Sequence, residues 1–393
     1  MEFDQPMGAG YSVVGGGSFF PKGMGACRWK DDHTFIVPVG LDPDHDYLMT
    51  FNEASFTNFR NAAGEPALSY PLTFATAPDP AARPRTRANT RAFVALKRAI
   101  LDDYSHRDRL GVDWTARFHQ FEKTLLAAPS PRSFARTAAK LLEPAQDPHL
   151  VVSRPFWGYL TYDARPEPNF NMGTLAAVVP AWREAPGGGV ATGRFEDGVG
   201  YASIAGWDGS ARAGLKALYG AIRDTTPTSG LVLDVRANAG GDESIAQLVA
   251  GCFVHAPTIY ATIARVRDHG EWLGPFDRSV DPNPECPPFP ADRVAVLQGP
   301  VNLSSNESFL MMMHAAGATL VGERSGGSSA LPVRHPLGSG IAVMVPSWED
   351  TWPDDTPIEG RGVSPTVSVE THFSDFLASD PVLDAALRVL RGP

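Results

Sequence analysis

GLVLDVRANAGGDESIAQLVAGCFV, residues 230–254, reads as a strand, a tight turn and a helix in immediate succession. Leu231, Val232, Leu233 and Val235 make a nearly continuous apolar run, the pattern of a strand buried on both faces. It ends in Asp234 and Arg236, and Asn238-Ala239-Gly240-Gly241 supplies turn chemistry, since glycine adopts backbone conformations closed to other residues. ESIAQLVAGCFV then carries apolar residues at helical spacing. A buried strand feeding a helix is half of a βαβ unit, and such units build parallel sheets.

The same rhythm extends in both directions. Upstream, VGYASIAGW (199–207) is a strand and SARAGLKALYGAIRDT (210–225) an amphipathic helix. Downstream, RVAVLQGP (293–300) is a strand, NESFLMMMHAAG (306–317) a helix and ATLVGE (318–323) a strand, with a late strand in GSGIAVMVPSWED (338–350). Residues 151–393 are thus expected to form an α/β core with a largely parallel sheet. Before it the period is helical. TRAFVALKRAILDDY (90–104) puts Phe93, Leu96, Ile100 and Tyr104 on one face. Ser130 with Pro131, and Pro144, mark the start and stop of a further helix. Residues 91–150 are expected to be a small helical module. Residues 78–90, rich in Pro and Arg, suit a solvated linker. Residues 1–77 read as an all-β domain, with TFIVPVGL and YPLTFAT as β-rich stretches between turn clusters.

The net charge of −10, with no basic block, argues against nucleic acid as a partner. No apolar run reaches the ~18 residues that span a membrane, and the N-terminus MEFDQPMGAG lacks the basic and apolar regions of a signal peptide. Cys27, Cys252 and Cys286 are few, odd in number and far apart, so neither a disulfide framework nor a metal site is expected.

Three places carry candidate chemistry. In NLSSNESF (302–309), Ser304 and Glu307 have the spacing of a capping box, which would make Ser304 only the start of a helix. The same position, beside unpaired backbone N–H groups at a helix N-terminus, would also suit a nucleophile. Gly240 and Gly241 could be a plain turn, or could let a substrate carbonyl approach bare N–H groups. His149 follows the Asp147-Pro148 turn and leads into an apolar strand. It is one of ten histidines, most of which in any protein are structural or on the surface. Ser305 is a rival nucleophile, and His314 and His335 are rival bases. On a straight helix His314 would lie roughly 15 Å from Ser304, too far to act.

Taken in order, GLVLDVRANAGG, VLQGPVNLSSNESF, GATLVGERSGG and IEGRGVSP (358–365) resemble the C-terminal processing (tail-specific) serine peptidase family, over about residues 195–367. The segment from Phe93 to Ala127, with Gly-Val-Asp-Trp at 111–114, is similar to the helices preceding the core in the tricorn-core-like branch, which is related to the retinoid-binding repeats. The resemblance implies a crotonase-like (ClpP/crotonase) α/β peptidase core and no cofactor or metal. It implies Ser304 as nucleophile, His149 as base, backbone N–H groups of Gly240 or Gly241 and Ser305 as oxyanion hole, and Glu359 as a carboxylate orienting the base. The Ser–Lys branch is excluded, because no lysine follows Lys216 and the register of the dyad lysine falls on Ser328. Two positions depart from the tricorn-like pattern: Pro148 stands where a serine precedes the histidine, and Thr366 where an aspartate follows the Gly-Val-x-Pro segment.

Residues 1–77 resemble a bacterial Ig-like module, and the chain opens inside its first strand motif, so natural sequence is expected upstream. Family resemblance suggests a periplasmic or secreted protein. A peptide or protein substrate is expected, and oligomerisation is compatible with the sequence. Non-catalytic ligand binding on the same fold, or hydrolysis of a non-peptide ester, are the alternatives.

Overall fold

The computed structural model describes residues 1–392 except 54–55, 78, 80–82, 155–156, 163–165 and 267–270. Part of the expected linker 78–90 therefore lies outside the described residues. The first long helix, Thr86–Asp103, begins inside that stretch.

The strand of the opening quotation, Leu231–Asp234, sits at the centre of a seven-stranded sheet. The order is Arg183–Glu184, Val190–Arg194, Gly200–Ile204, Leu231–Asp234, Val294–Gln298, Thr319–Gly322 and Val367–Ser368. From Gly200 onward neighbours run parallel, and the first two strands are antiparallel additions at one edge. Side chains alternate across this sheet as a period of two requires. Leu231 and Leu233 face the helices Gly209–Asp224, Glu243–Ala250 and Ser305–Ala316, while Val232 faces the C-terminal helix Pro381–Arg391. The expected parallel core is present, buried on both faces. Leu233 pairs with Val296 and Asp234 with Leu297, so the turns after both strands leave the sheet side by side. That shared edge is where ligands meet open α/β sheets.

The helices Thr86–Asp103, Trp114–Leu126 and Pro131–Leu142 occupy the stretch read as a helical module. Ser130 caps the third, its hydroxyl accepting from Ser133 N–H at 3.0 Å. The module does not close on itself. Its core, including Leu96, Ile100, Phe118 and Phe134, continues into Val152, Val343 and Val345. Those residues belong to a four-stranded antiparallel sheet ordered Pro332–Gly338, Ile341–Pro346, Val151–Arg154, Trp157–Leu160. Chain from both ends of the presumed α/β core thus completes the helical unit. A long hairpin, Thr258–Val266 with Trp272–Val280, pairs with Trp348–Thr351 and was not anticipated.

The N-terminal residues form small antiparallel ladders around Met7, Phe35, Met49, Phe51 and Phe59. Asp46–Phe51 is the middle strand, between Val13–Val14 and Tyr70–Ala75. Asp46 ties this region to the rest. Its carboxylate accepts from Arg132 Nε at 2.6 Å, Arg154 Nη1 at 3.0 Å and the Tyr159 hydroxyl at 2.9 Å.

One expectation is overturned. Cys252 and Cys286, 34 residues apart, are joined in a disulfide. Their parity and spacing hide it because the pairing is made by tertiary structure. Phe289 N–H donates to Cys252 O and folds the following loop back onto the end of helix Glu243–Ala250. Cys27 is free and half-buried. No described helix is long and apolar enough to cross a membrane.

Candidate active site

Ser304 is the N-cap of helix Ser305–Ala316 but does not cap it. Its side chain makes no capping hydrogen bond, and its backbone stands at φ 58°, ψ −135°. A non-glycine residue at positive φ is strained, and such strain persists where the surroundings over-determine it. The expected capping box is not formed. The Glu307 carboxylate turns away and accepts from the Ser325 hydroxyl at 2.7 Å and from Gly327 N–H at 2.6 Å. Burial pushes its pKa up to about 8. The rival nucleophile Ser305 is 7% exposed and donates its hydroxyl to Gly241 O at 2.9 Å.

The glycine turn lies directly against Ser304. A Cβ on Gly240, whose φ is +106°, would come within 2.8 Å of Ser304 Cβ and of Leu303 O. A Cβ on Gly241 would meet Trp207 O at 2.2 Å. Both positions need glycine for contact as well as for conformation. Gly240 N–H donates to Asn238 Oδ1 at 2.8 Å. Among the described residues the N–H groups of Gly241 and Ser305 donate to no acceptor. Gly241 is therefore the freer of the two glycine donors. Asn302 welds this turn to the nucleophile turn. Fully buried, it donates to the carbonyls of Val235 and Asn238 at 2.6 and 3.1 Å, and accepts from Gly299 N–H at 2.8 Å. Sequence reading assigned Asn302 no role.

Behind the turn, Arg236 is fully buried between two carboxylates. It donates to Asp234 at 2.7 and 3.0 Å and to Asp380 at 2.8 and 3.0 Å. Asp380 also caps the C-terminal helix by accepting from Leu383 N–H.

His149 is half-buried, with Nδ1 2.8 Å from Ser328 Oγ. Burial lowers its pKa, so the imidazole favours its neutral form. Its backbone N–H donates to Asp147 Oδ1 at 2.8 Å. Asp147 Oδ2 accepts from the Tyr104 hydroxyl at 2.9 Å and lies 3.1 Å from His106 Nδ1. Burial pushes the Asp147 carboxyl up, but the hydrogen bond and charge of His106 outweigh it and hold the group below the usual carboxylate value. Burial opposes the charge on His106, and the carboxylates of Asp147 and Glu359 reverse that and raise its pKa.

Glu359 does not touch His149 among the described residues. One oxygen accepts from Ser329 N–H at 3.0 Å, and the other lies 3.8 Å from both His106 and Arg109. Burial raises its pKa to about 7, against the opposing pull of His106. Ligand atoms of His106, Asp147 and Glu359 lie within 4.8 Å of one another. Tyr104 also donates to Asp147 in this cluster, and Arg109 Nε lies 3.8 Å from Glu359. Among the described residues Ser304 Oγ and His149 make no hydrogen bond. They are linked through one residue, because Ser304 N–H donates to Ser328 O at 2.7 Å. The rival bases lie elsewhere: His314 packs edge-on to Trp352, and His335 sits 3.5 Å from Asp103.

A cavity of about 560 Å³ opens beside the site, lined by Pro148, Leu303, Ser328, Arg109 and Glu359 among others. A larger cavity of about 670 Å³ lies beside His314, Arg324 and Trp352, and neither cavity is lined by Ser304 or His149 themselves.

Residues 198–369, under half of the chain, match the model of Peptidase family S41. The structure resembles a candidate peptidase from Parabacteroides merdae ATCC 43184, with TM-score 0.66 and 20% identity over 77% of this chain and 97% of that one. It also resembles mature CPAF, with TM-score 0.60 and 11% identity over 78% and 98%. The tricorn protease matches with TM-score 0.50 and 13% identity over 88% of this chain and 41% of that one. At these identities the likeness is one of fold. No curated protein matches the chain by sequence.

Proposed function

We propose that the chain is a serine endopeptidase of the tricorn-like branch, cleaving flexible peptides or unfolded protein tails by a Ser–His mechanism. The observation that carries this reading is the strained, uncapped Ser304 with Gly240 pressed against it and the N–H groups of Gly241 and Ser305 unengaged. A helix start needs none of these features.

In this mechanism Ser304 Oγ attacks the scissile carbonyl carbon while His149 Nε2 takes the hydroxyl proton. The carbonyl oxygen becomes an oxyanion held by the N–H groups of Gly241 and Ser305, aided by the helix dipole. The C–N bond breaks, His149 returns the proton to the leaving amine, and an ester to Ser304 remains. Water deprotonated by His149 then hydrolyses that ester and restores Ser304. The Ser304–His149 contact tightens only when substrate is bound, as is common for catalytic hydrogen bonds. Glu359 contributes from behind, through Ser329 and the His106–Arg109 side of the cluster.

The core is read as crotonase-like and residues 1–77 as an Ig-like packing module. The Cys252–Cys286 disulfide supports an oxidising compartment, the periplasm or the cell exterior.

Fluorophosphonate labelling with mass mapping of the modified peptide, on wild type and His149→Ala, tests the proposal. A label on Ser304 that is lost in His149→Ala is the expected result. Folded wild-type protein that takes no label at neutral to mildly alkaline pH would overturn it in favour of non-catalytic ligand binding. A label on Ser305 would move the nucleophile by one residue.

A further inference from the structure

We propose that Ser328 is the positioning residue of the general base, its Oγ accepting a hydrogen bond from His149 Nδ1–H and so leaving Nε2 free to serve as the base for Ser304. This deepens the serine-peptidase reading and rests on it.

The other neighbours of the imidazole are already engaged or lack a suitable group. The residue before the base is Pro148, which has no hydroxyl to offer. Asp147 is adjacent, but Oδ1 accepts the His149 backbone N–H and Oδ2 faces Tyr104 and His106. Glu359 holds Ser329 N–H. Among the described residues Ser328 is the only side chain hydrogen-bonded to the imidazole, at 2.8 Å.

Ser328 is also built to hold still. It is 2% exposed, and its neighbours are pinned by buried carboxylates on both sides: Gly327 N–H on Glu307 and Ser329 N–H on Glu359. Gly327 O accepts from Gly360 N–H at 2.7 Å, tying down the same segment. Its own carbonyl takes the Ser304 N–H. Ser328 therefore sets both the backbone of the nucleophile and the ring of the base, so their separation is fixed by a five-atom path through one residue rather than by the distant packing of two modules.

The chemistry follows from imidazole. A neutral ring has one N–H and one lone pair, and the partner of one nitrogen decides the state of the other. With Nδ1–H given to Ser328, the lone pair is on Nε2. The opposite tautomer, in which Ser328 donates to Nδ1, places the proton on Nε2 and disables the base. A hydroxyl differs from the usual carboxylate partner in carrying no charge. It orients the ring but adds little to the stability of the imidazolium, which agrees with a base whose pKa burial holds down.

The test is the second-order rate of fluorophosphonate labelling across pH 4–9 for wild type, His149→Ala, Ser328→Ala, Ser328→Thr and Ser328→Asp. Ser328→Ala is expected to label about 100-fold more slowly at neutral pH, the cost of a misplaced catalytic group. Ser328→Thr keeps the hydroxyl and is expected to recover most of the rate. Ser328→Asp places a carboxylate on Nδ1 and is expected to move the acid limb of the profile up by about one pH unit or more. A merely structural role would not move that limb. If Ser328→Ala does not fold, the Thr and Asp profiles report the same bond. Wild-type rate and limb in all three variants, with labelling still dependent on His149, would overturn the role of Ser328 while leaving the peptidase reading intact. Wild type that does not label would overturn the peptidase reading and this role with it.

Discussion

Residue type and local spacing mark Ser304, His149 and the glycine pair only as candidates, and it is the order of motifs in a family resemblance that joins them into one proposed centre. What those residues touch is not legible in the sequence. Glu307 has capping-box spacing, yet its carboxylate serves Ser325 and Gly327, because the positive φ of Ser304 turns the cap away. That contact joins residues 18 and 20 apart in a loop without regular structure, and no local pattern encodes it. A pH signature follows. Folded Glu307 keeps its proton to about pH 8, whereas the ordinary value is 4.5. Between those values the folded state holds more proton than the unfolded one, so this group's contribution is fully favourable at the acid end and is lost as pH rises toward 8. Glu307→Gln mimics the neutral acid and cannot titrate. Its urea-unfolding free energy is expected to exceed that of wild type at pH 9 by on the order of 5 kcal/mol, the excess falling to about 1 kcal/mol or less near pH 5. Parallel pH profiles for the two proteins would refute this.

Among elements, the alternating strands and helices between residues 199 and 323 were legible from period and apolarity, since each segment meets the sheet on its own. The hairpin partners were not. Ile341–Pro346, hairpinned with Pro332–Gly338, pairs across nearly two hundred residues with Val151–Arg154, and a strand sequence does not name its partner. The C-terminal helix shows why distant elements matter to the site. Asp380 at its N-cap neutralises buried Arg236, whose backbone carbonyl faces Asn302 at 3.4 Å. Asp380→Ala removes one carboxylate from a fully buried guanidinium and also removes the cap. It is expected to destabilise the protein by about 3–5 kcal/mol, measured by chemical denaturation, and to slow Ser304 labelling as the glycine turn loosens. A loss under 1 kcal/mol would show that Asp234 alone satisfies Arg236.

Across the whole molecule, Asp46 stands between two buried or half-buried arginines, one from a helix and one from a strand of the next layer. Asp46→Ala removes the carboxylate shared by Arg132 and Arg154 and leaves Asp44 as the ion-pair partner of Arg132 among the described residues. Calorimetry is expected to show the N-terminal β region melting ahead of the rest, where wild type gives one transition; a single unshifted transition would refute the coupling. The sheet completed by residues 332–346 has a consequence in time. A ribosome releases the chain from its N-terminus, so the strand that follows His149 has no edge partner from this hairpin until some 190 further residues have been made. Until then His149 sits on an unfinished layer, and the loop bearing Ser328 does not yet exist. The proposed centre is therefore not assembled while the chain is still being translated, and any activity it carries begins only after residues 332–346 have joined the fold.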